Sequence, residues 1–163
     1  MKKLFFTLIA LIALTVTAQA QTDSTKVKTT NYVSASLSLA NSVEGQSFNE
    51  TTYASVEYGI VRNGVAYGLA VGRGQLQSNR EFNGSTTNLQ NYFWEVRVQP
   101  TFPLGSVTGS VILGAGSYFG SSDAGFIEYG VGVSKSYGDL SYGLSYSNWN
   151  GVNYVTPSVS LAF

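Results

Sequence analysis

Four charged side chains stand alone on strand faces that otherwise carry small polar residues: Glu57, Glu95, Arg97 and Glu128. Three carboxylates near one guanidinium could bind a cation, gate a narrow water path, or act as the acid–base pair of a glycosidase. We expect a structural role, in which Arg97 pairs with one or two of the carboxylates. Buried charges are tolerated only when they are paired and hydrogen-bonded.

The composition removes most other catalytic chemistry. The 163-residue chain has no His and no Cys, which excludes Ser–His–Asp triads, Cys–His pairs, thiol redox chemistry and the usual zinc sites. Nine basic residues balance nine acidic ones, so binding of nucleic acid, which needs a basic surface, is not expected. We expect no cofactor, no metal and no enzymatic activity.

Residues 1–20 have the pattern of a secretory signal peptide. Two lysines precede an apolar stretch from Leu4 to Val16, and Ala18-Gln19-Ala20 supplies a small-x-small cleavage site. The stretch is too short for a membrane-spanning helix, which needs about 20 residues. An uncleaved helical anchor is the alternative. We expect cleavage after this site, a short disordered periplasmic lead-in over residues 21–30, and one domain over residues 31–163.

From residue 31 onward, apolar residues recur at every second position almost to the C-terminus, which is the period of a β-strand. In one run, Val65, Tyr67 and Leu69 alternate with small residues. Asn63-Gly64, between two such runs, is the strongest short hairpin signal. The pattern predicts eight strands of about nine to twelve residues.

The predicted connections alternate in length. Those after the second, fourth and sixth strands are tight, those after the first and third are long and polar, and the other two are intermediate. The longest, Gly74–Asn88, is expected to be an outer loop. Within it, Arg80, Glu81, Phe82 and Asn83 are candidate contacts for a surface ligand or protein, although the polar composition equally suits a solvated loop.

The second face of each strand indicates where the apolar face points. A soluble barrel would carry many charged residues on that face, whereas here it carries Ser, Gly, Thr and Ala. Small residues suit the lumen of an eight-stranded barrel, which is only just wide enough for side chains. The bulky Tyr53, Phe93, Tyr118 and Phe126 are expected to pack against glycines and close this lumen, with a residual cavity as the alternative.

Aromatic residues of the apolar face gather toward the strand ends, as they do at membrane interfaces. Short turns at one end and an even strand count are typical of outer-membrane barrels with both termini in the periplasm. The sequence therefore predicts an all-β fold, an eight-stranded antiparallel up-and-down transmembrane β-barrel. The aromatic residues are Tyr67, Phe102, Tyr142 and Phe163 at the turn end, and Tyr92, Trp94, Phe119 and Tyr146 at the outer end.

With these strands and the terminal Phe163, the chain resembles the small outer-membrane β-barrel proteins of Gram-negative bacteria, such as the transmembrane domain of outer membrane protein A and the outer membrane protein X type. The resemblance covers residues 31–163. It implies a barrel embedded in outer-membrane lipid and recognition of Phe163 by the barrel-assembly machinery. The residues Ala-Gln-Ala-Gln at the end of the signal peptide resemble those of secreted Bacteroidota proteins. Enzymes of this barrel architecture depend on His, which this chain lacks.

The role that we expect is structural or adhesin-like, through the outer loops. A small pore or solute channel is one alternative, and a soluble secreted β-barrel that binds an apolar ligand is another. Two prolines, Pro100 and Pro157, fall within predicted strands although they cannot donate to a ladder, and we expect a bulge or a local break at Pro157.

Overall fold

The structure, a computed structural model, describes residues 29–43, 49–82, 85–120 and 125–163. The expected signal peptide and most of the expected lead-in lie outside the described residues, as does Asn83. A helix long and apolar enough to cross a membrane is not found in the described part of the chain. Eight antiparallel strands pair in sequential order, and the last strand pairs with the first, so the fold is a closed barrel. The strands are β1 (Thr29–Val43), β2 (Asn49–Arg62), β3 (Val65–Phe82), β4 (Ser85–Leu104), β5 (Val107–Gly120), β6 (Gly125–Tyr137), β7 (Leu140–Trp149) and β8 (Val152–Ala162).

The alternation predicted from the sequence separates the two faces of the barrel wall. Apolar side chains point outward, and the relative exposures of Leu69 and Ile127 are 53% and 64%. The alternate residues point into the lumen, where Glu95 is 0% exposed and Glu128 is 2% exposed. This arrangement is the reverse of a soluble barrel, and it confirms the predicted fold class and the predicted direction of the faces.

Two-residue turns join the strands at one end of the barrel, which we call the turn end, and the opposite end is the loop end. Asn63 and Gly64, between β2 and β3, both have positive φ angles (53° and 73°), as a type I′ hairpin requires. Residues 105–106 and 138–139 form the other two turns of this end. Asn150-Gly151 forms a further two-residue turn at the loop end, where the sequence predicts an intermediate connection.

Strands β1 to β6 are longer than the predicted nine to twelve residues, whereas β7 and β8 are within this range. The eight strands contain 10 to 20 residues, and β1 begins at Thr29, two residues before the expected start of the domain. The segment Gly74–Asn88, expected to be a loop, is mostly strand: β3 continues to Phe82 and β4 begins at Ser85. Because β4 pairs with β5 only from Asn91 onward and β3 pairs with β2 only as far as Gln77, the described residues beyond both points form a two-stranded extension of the barrel wall. We call residues 78–82 and 85–90 the β3–β4 ribbon.

Neither proline shifts the register of the sheet. Pro157 lies opposite Leu144 in a continuous β7–β8 register. On the β1 side, pairing passes from Ser36–Ser158 to Leu39–Val155 in the same register, so there is a local break without a bulge. The register shift of this strand pair lies between Ala40 and Ser42 instead. Pro100 similarly pairs with Val65 in a constant β3–β4 register.

Candidate functional site

The loop-end half of the lumen is filled by aromatic side chains, which we call the aromatic plug: Tyr53, Phe93, Phe126, Trp149 and Tyr154, with Tyr118 packed against them. Phe126 stacks on Trp149 with ring centroids 5.1 Å apart, and Tyr53 meets Phe93 edge-on at 5.6 Å. The five core members of the plug are between 0% and 3% exposed. Among the described residues, these rings fill the loop-end half of the lumen.

The four charged residues converge next to the plug, and we call them the ion cluster. Arg97 Nη1 donates to Glu57 Oε2 at 2.6 Å, Nη2 donates to Glu95 Oε2 at 2.9 Å, and Nε donates to Glu128 Oε2 at 3.0 Å. Arg97 therefore binds three carboxylates, whereas the sequence predicts one or two. Arg97 lies on β4, whereas Glu57 lies on β2 and Glu128 on β6, and neither of these strands is next to β4 in the sheet. The bonds from Arg97 to Glu57 and to Glu128 therefore cross the lumen.

The environments of the three carboxylates differ. Glu57 Oε1 accepts a hydrogen bond from the Tyr32 hydroxyl, so both of its oxygens have partners. Glu95 Oε1 is buried and has no hydrogen-bond partner in the described part of the chain. With all groups ionised, three carboxylates and one guanidinium carry a formal charge of −2. The ion cluster is therefore an electronegative layer that one cation holds together.

Two glycines provide the space that the carboxylates occupy. A Cβ atom on Gly114 would overlap Glu95 Oε1, and a Cβ atom on Gly68 would overlap the carboxylate of Glu57. Large side chains thus face positions without side chains, as a narrow lumen requires. The predicted packing of bulky lumen residues against glycine is confirmed by two aromatic rings: a Cβ atom on Gly72 would overlap Phe93, and a Cβ atom on Gly74 would overlap Tyr53.

The lumen face of β1 carries hydroxyl groups that pair with hydroxyl groups of the neighbouring strands. Ser36 and Ser55 lie 2.6 Å apart, and Ser160 donates to Ser34 at 3.0 Å. At the break beside Pro157, Thr156 Oγ1 donates to Ser38 Oγ at 2.9 Å. These side-chain bonds link β1 to both of its neighbours, including the place where its ladder with β8 is interrupted.

The outer surface carries an apolar belt with an aromatic rim at each end. Tyr92 and Phe119 stack at the loop end with centroids 5.7 Å apart, and the guanidinium of Arg73 lies 5.5 Å from the Tyr92 ring. At the turn end, Lys135 Nζ lies 5.3 Å from the ring of the exposed Tyr137. All eight aromatic residues predicted for the rims are exposed on the outer surface.

Sequence reasoning predicts the four members of the ion cluster, and the structure brings them into direct contact. It also predicts the plug residues Tyr53, Phe93, Tyr118 and Phe126, but it misses Trp149 and Tyr154, which flank the Asn150-Gly151 turn. Extension of the alternation in β7 and β8 by one more pair would have placed both in the lumen. Of the loop candidates, Arg80, Glu81 and Phe82 belong to β3, and their side chains are outside the described set. Phe163 is 64% exposed at the turn end.

Comparison with known proteins identifies the architecture. No protein-family model matches the sequence, and no curated protein matches it. Among solved structures, the chain is similar to the outer membrane protein Ail of Yersinia pestis in a phospholipid bilayer nanodisc, with a TM-score of 0.56 and 15% sequence identity over 83% of this chain and 100% of that one. Neisserial surface protein A matches with a TM-score of 0.48 and 17% identity over 85% and 100% of the two chains. The chain therefore has the fold of the small eight-stranded outer-membrane β-barrels.

Proposed function

We propose that the protein is a non-enzymatic, integral outer-membrane β-barrel with a structural or adhesin-like role exerted at its loop end. The apolar belt carries the proposal. Its side chains include Val56, Leu69 and Val131, each more than half exposed. Soluble monomers rarely expose contiguous apolar patches larger than a few hundred Å². A belt that surrounds the barrel between two aromatic rims is suited to lipid.

The same proposal includes export and orientation. Residues 1–20 direct secretion, the barrel-assembly machinery recognises Phe163, and both termini face the periplasm. The turn end supports this orientation, because its two-residue turns match the short periplasmic turns of outer-membrane barrels. The loop end, with the β3–β4 ribbon, then faces the cell exterior.

The lumen supports a surface role over catalysis. Each carboxylate of the ion cluster is hydrogen-bonded to Arg97, and Glu95 and Glu128 are buried behind it. A general acid or base must reach a proton of the substrate, and these groups are held by a cation instead. The aromatic plug separates them from the loop end.

The membrane assignment is tested by heat-modifiability. The mature chain is refolded in detergent and run on an SDS gel with and without boiling. A folded transmembrane barrel resists cold SDS, so we expect the unboiled band to shift in mobility on boiling. A protein that is soluble without detergent and shows no shift would contradict the proposal and favour the soluble barrel.

The surface role is tested by shortening the β3–β4 ribbon. Residues 78–87 are replaced by Asn-Gly, which favours a two-residue hairpin and keeps Gln77 opposite Asn88, and bacteria that display the protein are assayed for adherence to epithelial monolayers. We expect retained heat-modifiability and adherence equal to that of bacteria without the protein. The control keeps the ribbon length and changes Ser78 and Ser85 to Thr. Equal adherence of bacteria with the shortened and the full-length protein would show that the ribbon does not mediate adherence. If neither protein supports adherence, the adhesin-like role is wrong and only the structural role remains.

A small pore is the second candidate function, and the polar turn-end half of the lumen favours it. Ions would have to pass the aromatic plug. Single-channel recording in a planar bilayer tests the idea. A conductance that changes in Glu95→Ala or Arg97→Ala would establish a pore, whereas a silent bilayer would exclude it.

A further inference from the structure

Between the ion cluster and the turn end, the lumen widens into a cavity of about 220 Å³, which we call the vestibule. Its inner wall includes Tyr32 and Arg97, and it reaches Val61 and Thr101 beside the turn end. A cavity needs only about 10–15 Å³ of such volume to hold one water molecule. The vestibule therefore has room for a small solute as well as for water.

Hydroxyl groups dominate the lining of the vestibule. Ten of its 22 lining residues are Ser or Thr. Several are already paired, as in Ser160–Ser34 at 3.0 Å and Gln99–Ser110 at 2.8 Å. A hydroxyl has one donor and two acceptor sites, so each paired group retains capacity for another hydrogen bond. A ligand with several hydroxyl groups of its own would match this lining.

The inner wall offers further donors. Arg97 has five N–H groups, of which three bind the carboxylates, and the other two have no acceptor in the described part of the chain. Its side chain is 15% exposed, whereas those of Glu95 and Glu128 are at most 3% exposed. Arg97 thus lines the vestibule, and the two more deeply buried carboxylates do not.

The charge and the apolar patches narrow the class of ligand. The carboxylates of the ion cluster outnumber its single guanidinium, which disfavours an anion beside Arg97. Ile112, only 3% exposed, and Ala66 place apolar surface in the same cavity. This apolar surface offers a contact for the carbon skeleton of a ligand whose hydroxyl groups meet the serines.

We propose that the vestibule is a binding site for small uncharged polyols of about the size of glycerol, which enter from the turn end. Ligand hydroxyls accept from the two remaining N–H groups of Arg97 and exchange hydrogen bonds with the serines, while the carbon chain lies against Ile112. The site is closed toward the loop end by the aromatic plug. It is independent of the surface role proposed for the β3–β4 ribbon.

The test is an NMR titration of the refolded, isotope-labelled protein in nanodiscs with glycerol, and in parallel with glycerate, which has the same carbon chain and carries a negative charge. We expect saturable shifts of the backbone amides of Ser36, Ser110 and Ser158 with glycerol. With glycerate, these shifts should be at least several-fold smaller at equal concentration. In Ser158→Met, whose side chain fills the vestibule, the glycerol shifts should be lost.

The matched control is Ser117→Met, which makes the same change on the outer face of β5 and should leave the glycerol shifts intact. Heat-modifiability confirms that both variants are folded. If Ser158→Met does not fold, Ser145→Met fills the same cavity from β7 and replaces it. Shifts that grow linearly without saturation, that spread over the whole barrel, or that persist in the cavity-filling variant would overturn the proposal and leave a cavity that holds water alone.

Discussion

Arg97 is the residue on which the lumen depends most. One side chain donates to carboxylates on β2, β4 and β6, and its own strand pairs with neither β2 nor β6 in the sheet. Removing one partner of a buried ion pair is costly because it leaves an uncompensated charge behind. Here the loss of Arg97 would leave three carboxylates together, each at most 8% exposed, without their cation.

We predict that Arg97→Met lowers the free energy of unfolding by about 3–5 kcal/mol. Methionine keeps much of the side-chain length, so the loss reports the charge rather than a cavity. The measurement is urea unfolding of the barrel in lipid vesicles, followed by tryptophan fluorescence.

The matched variant combines Arg97→Met with Glu95→Gln and Glu128→Gln. It removes the two most deeply buried carboxylates along with the cation, so most of the lost stability should return. If the triple variant were as unstable as Arg97→Met alone, the destabilisation would come from packing, and the electrostatic account would be wrong.

The members of the ion cluster and the pairing of Arg97 with one or two carboxylates could be predicted, but the convergence of all three carboxylates on Arg97 could not. Alternation shows that Glu57, Arg97 and Glu128 share the lumen face. Whether they lie at the same height depends on the stagger between strands, which long-range pairing sets. The bond from Tyr32 to Glu57 depends on the same stagger. Tyr32 lies on the lumen face just before Val33, the first apolar residue that the strand pattern uses.

At the scale of the strand, successive residues point to opposite surfaces of the barrel wall. Val131 lies in the middle of β6 and is 59% exposed, while its neighbour Gly130 faces the lumen beside Ser147. A substitution at Val131 therefore changes the outer surface and leaves the lumen intact.

We predict that Val131→Arg destabilises the barrel in lipid by about 2–4 kcal/mol, because it places a cation at mid-membrane on the outer face. Tyr137→Arg, on the same strand at the turn end, should cost about 0–1 kcal/mol, since a charge near the interface remains hydrated. Equilibrium unfolding in vesicles measures both. Equal costs at the two positions would show that the apolar belt does not lie across the bilayer.

Strand boundaries were predicted well only where apolar alternation continued. Within residues 74–90 the side chains are almost all polar, and the periodic signal disappears. Backbone pairing nevertheless continues, with Gln77 opposite Asn88 and Ser78 opposite Thr87. Neither face of the ribbon has to be buried, so its strands need no alternation of apolar and polar residues. The sequence pattern therefore could not reveal these strands.

For the whole molecule, the order of layers along the lumen matters more than any one contact. The aromatic plug lies at the loop end, the ion cluster follows, and the hydroxyl-lined vestibule reaches the turn end. Two of the three layers are polar, so the plug is the layer that should prevent the passage of ions.

We predict that the double variant Tyr53→Ala and Phe93→Ala conducts ions in planar bilayers, whereas the unchanged protein does not. Both rings are buried at the centre of the plug, and their loss leaves a hydrated path from the loop end to the ion cluster. The excess of carboxylates should make this path cation-selective. Tyr92→Ala, which removes an aromatic ring from the outer face, is the matched control and should remain silent. A silent double variant would contradict this prediction and show that the ion cluster or the remaining rings of the plug close the lumen without Tyr53 and Phe93.

The two tryptophans lie on opposite surfaces of one wall. Trp94 is 44% exposed on the outer face of β4, and Trp149 is 3% exposed within the aromatic plug. A quencher attached to the acyl chains of the lipid will reach the first indole and not the second. Fluorescence of single-tryptophan variants can therefore follow two steps of assembly separately. Quenching of Trp94 reports insertion of the barrel into lipid, and emission of Trp149 reports packing of the aromatic plug.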